Sequence, residues 1–292
     1  MGFIYWIASY PKSGNTWTRA FLTSLITGGL EGNLDKLSEV IPDENSGKFY
    51  KRYLKKPIAE ASNVELARVR PLAHREMARK AQNFLLLKTH SMVAIHNGTH
   101  TITPDVTAGA IYLLRNPLDV AVSYSEFRGR DIDLTIDLMH QSGRELDRPS
   151  GAGYEVAGSW RENVESWTKP HDRLVVVRYE DLIADPQAEF GRIVKFLKMN
   201  VTEEQIATAV ADASFNKMKA AEQETGFIEY PLEGKSFFRS GRTGEWRERL
   251  TQEQVARIVR NNGALMKRFG YWLPEFDALE KAPAAAVQAT DA

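Results

Sequence analysis

Apolar residues concentrate in four short runs, Phe3–Ala8, Phe84–Lys88, Ile111–Leu114 and Leu174–Arg178, each four to six residues long. Several end directly at polar or charged residues, a pattern that predicts buried β-strands. Amphipathic stretches between them predict helices. One covers Thr16–Ile26, directly after the first run. A second covers Pro117–Phe127, with Asn116 as N-cap and Pro117 at the first helical position. Thr202-x-x-Gln205 and Thr251-x-x-Gln254 have the form of capping boxes that open two more. Strands alternating with helices predict an α/β domain around a mainly parallel sheet.

The periodicity weakens over Gly32–Lys56, Gly129–Gly153 and Ala220–Phe238. Connections this long in a compact domain are more often functional lids than linkers. No internal repeat is visible, so one domain over residues 1–277 is expected, with a frayed Ala/Pro-rich tail from Ala278.

Composition narrows the chemistry. The 292 residues are 43% hydrophobic and 26% charged, an ordinary globular balance. There is no cysteine, which excludes disulfides, thiolate metal sites and thiol nucleophiles and suits a reducing, cytoplasmic setting. With 38 basic and 38 acidic residues no global field draws the chain to nucleic acid or anionic lipid, so anion binding needs a local cluster. Met1–Ala8 is apolar but lacks a basic lead-in, and Pro11 ends it early; a first strand is expected there, not a signal peptide. No apolar stretch reaches the ~18 residues of a membrane span. Gly2 lacks the Ser or Thr that myristoylation requires at position six, where Trp6 stands. The sequons at Asn97 and Asn200 carry little weight without a secretion signal.

The first strand leads into Tyr10-Pro11-Lys12-Ser13-Gly14-Asn15-Thr16-Trp17 and then a helix. A helix N-terminus carries roughly half a positive charge and unpaired N–H donors, so it attracts phosphate or sulfate. Gly14 lets the backbone approach an anion, Lys12 adds a charge, and Ser13 and Thr16 add hydroxyls. The nucleoside-triphosphate motif G-x-x-x-x-G-K-[ST] is absent, because the lysine here precedes the glycine.

This loop resembles the Y-P-K-S-G-T-T-W loop of the cytosolic sulfotransferase family. Further matches follow in the family's order. Lys88-Thr89-His90 is similar to its K-T-H stretch, and Arg115-Asn116-Pro117-Leu118-Asp119-Val120-Ala121-Val122-Ser123-Tyr124 to R-N-P-K-D-V-A-V-S-Y. Arg239-Ser240-Gly241-Arg242-Thr243-Gly244-Glu245-Trp246 resembles R-K-G-x-x-G-D-W. Tyr179-Glu180-Asp181-Leu182 and Ser214-Phe215-Asn216-Lys217-Met218-Lys219 are weaker matches. The resemblance spans about residues 3 to 251.

It implies a three-layer, P-loop-like fold, a central mainly parallel sheet flanked by helices. It also implies sulfuryl transfer from 3'-phosphoadenosine 5'-phosphosulfate to a small-molecule acceptor. Lys12, Ser13, Gly14, Asn15 and Thr16 would hold the 5' end of that donor. Arg115, Ser123, Arg239, Ser240 and Gly241 would hold the 3'-phosphate, where a guanidinium can make two parallel hydrogen bonds. Trp17 and Phe215 would sandwich the adenine, with Tyr179 and Ser214 at its edge. His90 would be the general base, its ordinary pKa of about 6.5 suiting proton removal near neutrality. Lys12 would neutralise the leaving group, and Lys88 would help hold the transferred group. No metal is expected: His90, His96 and His100 match no standard ligand spacing.

Some positions depart from the family. Asn15 replaces a threonine, its amide still able to donate; Ser240 replaces a lysine; Ala213 stands where threonine is usual; Ser91-Met92 follow His90 in place of Leu-Pro. The animal members' K-T-V-E dimer motif is not recognisable, leaving monomer and homodimer both open. Trp6-Ile7-Ala8-Ser9-Tyr10-Pro11-Lys12, with Gly158-Ser159-Trp160, Asn163 and Trp167, is similar to the bacterial branch that sulfates glycopeptide antibiotics. Two other functions compete. A P-loop nucleotide kinase would need the absent triphosphate motif and a metal-holding Asp. A non-catalytic binder of phosphoadenosine nucleotides would have no use for Lys12 and His90 together.

Overall fold

Seven residues of β1 (Phe3–Ser9) form the hub of the sheet. β2 (Phe84–Thr89) lies on one side of it and β5 (Thr107–Leu114), followed by β6 (Leu174–Arg178), on the other, every pair parallel. The short β3 (Ile95–His96) and β4 (Thr99–His100) make a separate antiparallel hairpin. The computed structural model describes residues 2–146, 151–169, 172–227 and 236–281.

Helices fill the connections. The first seven are α1 (Asn15–Thr27), α2 (Lys36–Val40), α3 (Gly47–Tyr50), α4 (Asn63–Lys80), α5 (Pro117–Arg128), α6 (Ile132–His140) and α7 (Trp160–Trp167). The rest are α8 (Tyr179–Ala184), α9 (Pro186–Phe196), α10 (Glu203–Asp212), α11 (Phe215–Thr225), α12 (Trp246–Arg249), α13 (Gln252–Arg268) and α14 (Phe276–Lys281). The capping boxes at Thr202 and Thr251 open α10 and α13 as their spacing predicts. Asn116 caps α5 by accepting from the Leu118 N–H.

Strand alternation divides the core in two. Ile4, Trp6 and Ala8 of β1 face α4, α5, α7 and α13, where Met77, Val120, Val164 and Ile258 are buried. Ile7 faces the opposite way, with Leu86, Ile111 and Val177, against α1, α9 and α10. There Phe21 stacks on Phe190, ring centroids 4.0 Å apart, and fixes α1 to α9. The result is the expected three-layer α/β arrangement. Among the described residues, no helix is long and apolar enough to cross a membrane.

Several boundaries differ from the sequence reading. β5 begins at Thr107, four residues before the run Ile111–Leu114. Its first half, Thr-Ala-Gly-Ala, is small and weakly apolar, yet Gly109 lies so close to the Arg173 carbonyl that an added Cβ would sit 2.7 Å from it. The weakly periodic Gly32–Lys56 holds α2 and α3, and Gly129–Gly153 holds α6. Ala220–Phe238 starts inside α11. Residues 147–150 of the second and 228–235 of the third lie outside the described residues. α14 extends through Lys281, past the expected start of the tail at Ala278; residues 282–292 also lie outside.

Candidate active site

The residues that follow the carboxyl ends of all four parallel strands meet in one cavity of about 680 Å³. They are the loop after Ser9, His90 after β2, Arg115 after β5 and Tyr179 after β6. Ligands of open α/β sheets bind outside these ends. Lys12, Gly14, Asn15, Thr16 and Trp17 line the cavity, as do Lys88, Ser123 and Phe215, and Arg239, Ser240 and Gly241 from the late loop. Two expected residues do not line it. Ser13 is buried beneath the loop with its hydroxyl unpartnered, and Ser214 sits half-buried as the N-cap of α11.

The loop geometry depends on its residues. Lys12 and Gly14 both have positive φ, 69° and 100°. A Cβ on Gly14 would stand 2.8 Å from the Tyr179 ring, so only glycine fits. No side chain caps the N-terminus of α1. Asn15 departs from its expected role: its amide donates inward, to the Ile7 carbonyl at 3.0 Å and the Ser9 hydroxyl at 3.2 Å. Its two N–H bonds tie the loop to β1 and are not directed at an anion.

Arg115 spans the cavity's second end. Its guanidinium donates to the Lys12 carbonyl at 3.1 Å and the Arg242 carbonyl at 3.0 Å, and it lies 4.4 Å from the centre of the Tyr179 ring. Asp119, four residues on, accepts the backbone N–H groups of Gly244 and Trp246 and does not pair with Arg115. Arg239 bonds Glu126 at 2.8 Å and Glu245 at 2.7 Å, and Ser240 also donates to Glu245. Gly241 has φ 62°, and a Cβ there would meet the Phe215 ring at 2.6 Å. The Lys12 ammonium lies between Phe127 and Phe237, 4.3 and 3.9 Å from the ring centres. Burial, with the nearby Arg115, lowers its pKa to about 7.

At the other end, His90 Nδ1 lies 2.9 Å from the Ser9 carbonyl. A carbonyl only accepts, so Nδ1 carries the proton and Nε2 presents its lone pair. Burial, reinforced by the charge of Lys88, holds the imidazole well below its ordinary pKa of 6.5. Lys88 does not have the free role expected of it. Its ammonium is 2.6 Å from Asp43 and 3.5 Å from Glu155. β2 ends at Thr89, one residue short of His90. Of the three histidines, His96 pairs with Glu145 at 2.8 Å, and among the described residues no cluster of three His, Cys, Asp or Glu could hold a metal.

A sulfotransferase domain model matches residues 5–270. The chain belongs to the sulfotransferase family. Sulfotransferase 1B1 of Mus musculus is 28% identical to it over 259 residues, 85% of this chain and 78% of the relative. Sulfotransferase 1A1 of Bos taurus is 28% identical over 265 residues, with the same shares. Among solved structures, retinol dehydratase in complex with androsterone and the inactive cofactor PAP superposes with a TM-score of 0.61 at 21% identity, over 93% of this chain and 83% of that one. Mouse sulfotransferase SULT7A1 complexed with PAP gives 0.57 at 21% identity, over 92% and 88%. These likenesses show the fold.

Three residues at the site of this sulfotransferase escaped the sequence reading of roles. Asn163 donates to the His90 carbonyl at 2.9 Å and accepts from the buried Tyr112 hydroxyl. Glu155 accepts the His90 backbone N–H, and Asp43 pairs with Lys88. The Asn163 resemblance was visible in the sequence; its contact with residue 90 was not. For Glu155 and Asp43 no local pattern pointed to the site.

Proposed function

We propose that this sulfotransferase moves the sulfuryl group of 3'-phosphoadenosine 5'-phosphosulfate onto a hydroxyl or amine of a small-molecule acceptor, with His90 as general base. The observation that carries this is the fixed tautomer of His90, whose Nδ1 proton goes to the Ser9 carbonyl while the ring shares a cavity with the Lys12 loop. The cavity's chemistry fits a ligand with two anionic ends. The Arg115 Nε is buried without a partner, and the N-terminus of α1 is uncapped. Buried polar groups are ordinarily satisfied, so such orphans favour a polar ligand. PAP in the two structures of similar fold supports the same reading.

When bound, the donor supplies the sulfuryl group and a phosphate leaving group. Little covalent work falls to the protein; positioning and charge stabilisation dominate. Lys12, Gly14 and Thr16 hold the 5' end, and Lys12 offsets charge there. Arg115, Ser123, Arg239 and the Ser240–Gly241 backbone hold the 3'-phosphate, Arg239 exchanging its contacts with Glu126 and Glu245 for the ligand. Trp17 and Phe215 offer faces to the adenine, with Tyr179 beside them. His90 Nε2 takes the acceptor's proton. Being neutral below its ordinary range, it stays a competent base in mildly acidic solution. Incubation of the protein with sulfur-labelled donor and a panel of phenolic, glycosidic and lipid acceptors tests the reading. Labelled acceptor and an equal amount of released phosphoadenosine phosphate are expected; magnesium-dependent ATP hydrolysis without sulfuryl transfer would favour a kinase.

A further inference from the structure

Glu155 lies in the connection between α6 and α7, its side chain 5% exposed, with its residue on the wall of the cavity. One carboxylate oxygen accepts the His90 backbone N–H at 2.5 Å. The other is 3.5 Å from the Lys88 ammonium and 3.3 Å from the Asn45 amide. Asp43 closes on the far side of Lys88 at 2.6 Å. The Asp43 segment runs alongside β2, the Lys88 N–H donating to the Pro42 carbonyl and the Glu44 N–H to the Lys88 carbonyl. A single buried carboxylate thus joins the base's own peptide, the neighbouring ammonium and the wall opposite.

We propose that Glu155 is a positioning residue of the reaction centre, which in its ionised form holds the His90 peptide and the Lys88 ammonium in one arrangement and in its protonated form slackens both. This rests on the reading of His90 as the base. Burying a carboxylate is costly unless it is paired, and the arrangement around Glu155 supplies only part of that pairing. The charged groups facing it are Lys88 from β2, which favours ionisation, and Asp43 and Glu44 from the adjoining segment, which oppose it. The His90 N–H also favours the carboxylate. Burial dominates this balance and lifts the carboxyl from 4.5 to about 7. Glu155 therefore loses its charge as pH falls through about 7, while His90 is still neutral. The acidic limb of the transfer rate belongs to Glu155, and it is a limb of kcat, because Glu155 touches none of the residues that hold the nucleotide's two ends.

The test uses the full chain with Glu155→Gln and Glu155→Asp. For Glu155→Gln, kcat at pH 8 is expected to fall at least about tenfold, as misplaced reacting groups do. Phosphoadenosine phosphate affinity, measured by calorimetry, should stay within about twofold, since the phosphate contacts are untouched. The inflection near pH 7 should vanish in Glu155→Gln and persist in Glu155→Asp, which keeps the charge. The His90 imidazole resonances, assigned with His90→Gln, are followed by NMR in the unliganded wild type and both variants, each also carrying Lys12→Arg so that the neighbouring Lys12 does not titrate near pH 7, a readout that needs no turnover. A His90 inflection near pH 7 that is lost in Glu155→Gln supports the positioning role, even if the wild type were to transfer no sulfuryl group and so sink the function. A wild-type His90 signal with no inflection near pH 7, or kcat and pH profile unchanged in Glu155→Gln, overturns it.

Discussion

The imidazole of His90 is tied through Nδ1 to the carbonyl of Ser9, the last residue of the central strand, at 2.9 Å. The candidate base is thereby registered to the residue from which the Lys12 loop departs. His90 is held again through its peptide, by Glu155 at N–H and Asn163 at the carbonyl.

Asn163 is fully buried and also donates to the Ala157 carbonyl at 2.8 Å. Asn163→Ala leaves the His90 and Ala157 carbonyls and the Tyr112 hydroxyl without this partner. A loss of about 1–3 kcal/mol in chemical denaturation is expected for unsatisfied buried groups. The kinetic signature is a fall in kcat larger than any rise in nucleotide KM. Equal stability and kcat in the variant would show that the clamp does nothing.

Lys12 has a pKa of about 7 in the free protein, so at pH 8 it is mostly neutral. An anionic ligand beside it favours the charged form. Binding of phosphoadenosine phosphate at pH 8, where its phosphates are ionised, should therefore take up close to one proton at Lys12. Calorimetry in buffers of different ionisation enthalpy reads this directly. Lys12→Arg, which is always charged, should abolish this uptake at pH 8.

Gly241→Ala places a methyl group 2.6 Å from the Phe215 ring at a φ of 62°. The backbone term alone costs about 1–2 kcal/mol. Because the ring must also shift, nucleotide affinity is expected to fall at least tenfold, roughly the effect of 1.4 kcal/mol, as measured by fluorescence titration. Unchanged affinity would remove Phe215 from the adenine site.

Glu155 also enters the stability. Its folded pKa, about 7, is above the ordinary 4.5, so its favourable contribution is complete below pH 4.5 and is lost as pH rises through 7. Glu155→Gln has no such loss. Its melting temperature relative to wild type should therefore rise between pH 5 and pH 8; a constant difference would mean that Glu155 is ionised across that range.

Much of this was legible in the chain because parallel strands buried on both faces read as continuous apolar runs. Leu174–Arg178 has the expected ends, and β1 and β2 each extend one residue further. The start of β5 was hidden because Gly109 is required by packing and lowers the local apolar signal. α4 went unread although Ser62 and Glu65 form a capping box, since charged residues interrupt its apolar positions and it contains Pro71. The residues proposed to hold the two anionic ends were legible for a different reason: they lie in short motifs, and Lys12 and Arg115 follow strand ends. Asp43 and Glu155 were not, because they reach Lys88 and His90 across 45 and 65 residues of chain. Asn15 shows a third limit. Its identity was plain, but only the fold shows that its amide is used on β1.

The most direct measurement is single-turnover transfer of labelled sulfuryl from phosphoadenosine phosphosulfate by wild type and His90→Ala, with phosphoadenosine phosphate binding measured in parallel. His90→Ala should bind the nucleotide as wild type does and transfer about a hundredfold to ten-thousandfold more slowly, the usual contribution of a general base. Transfer by His90→Ala at the wild-type rate would contradict the assignment of His90 as the base.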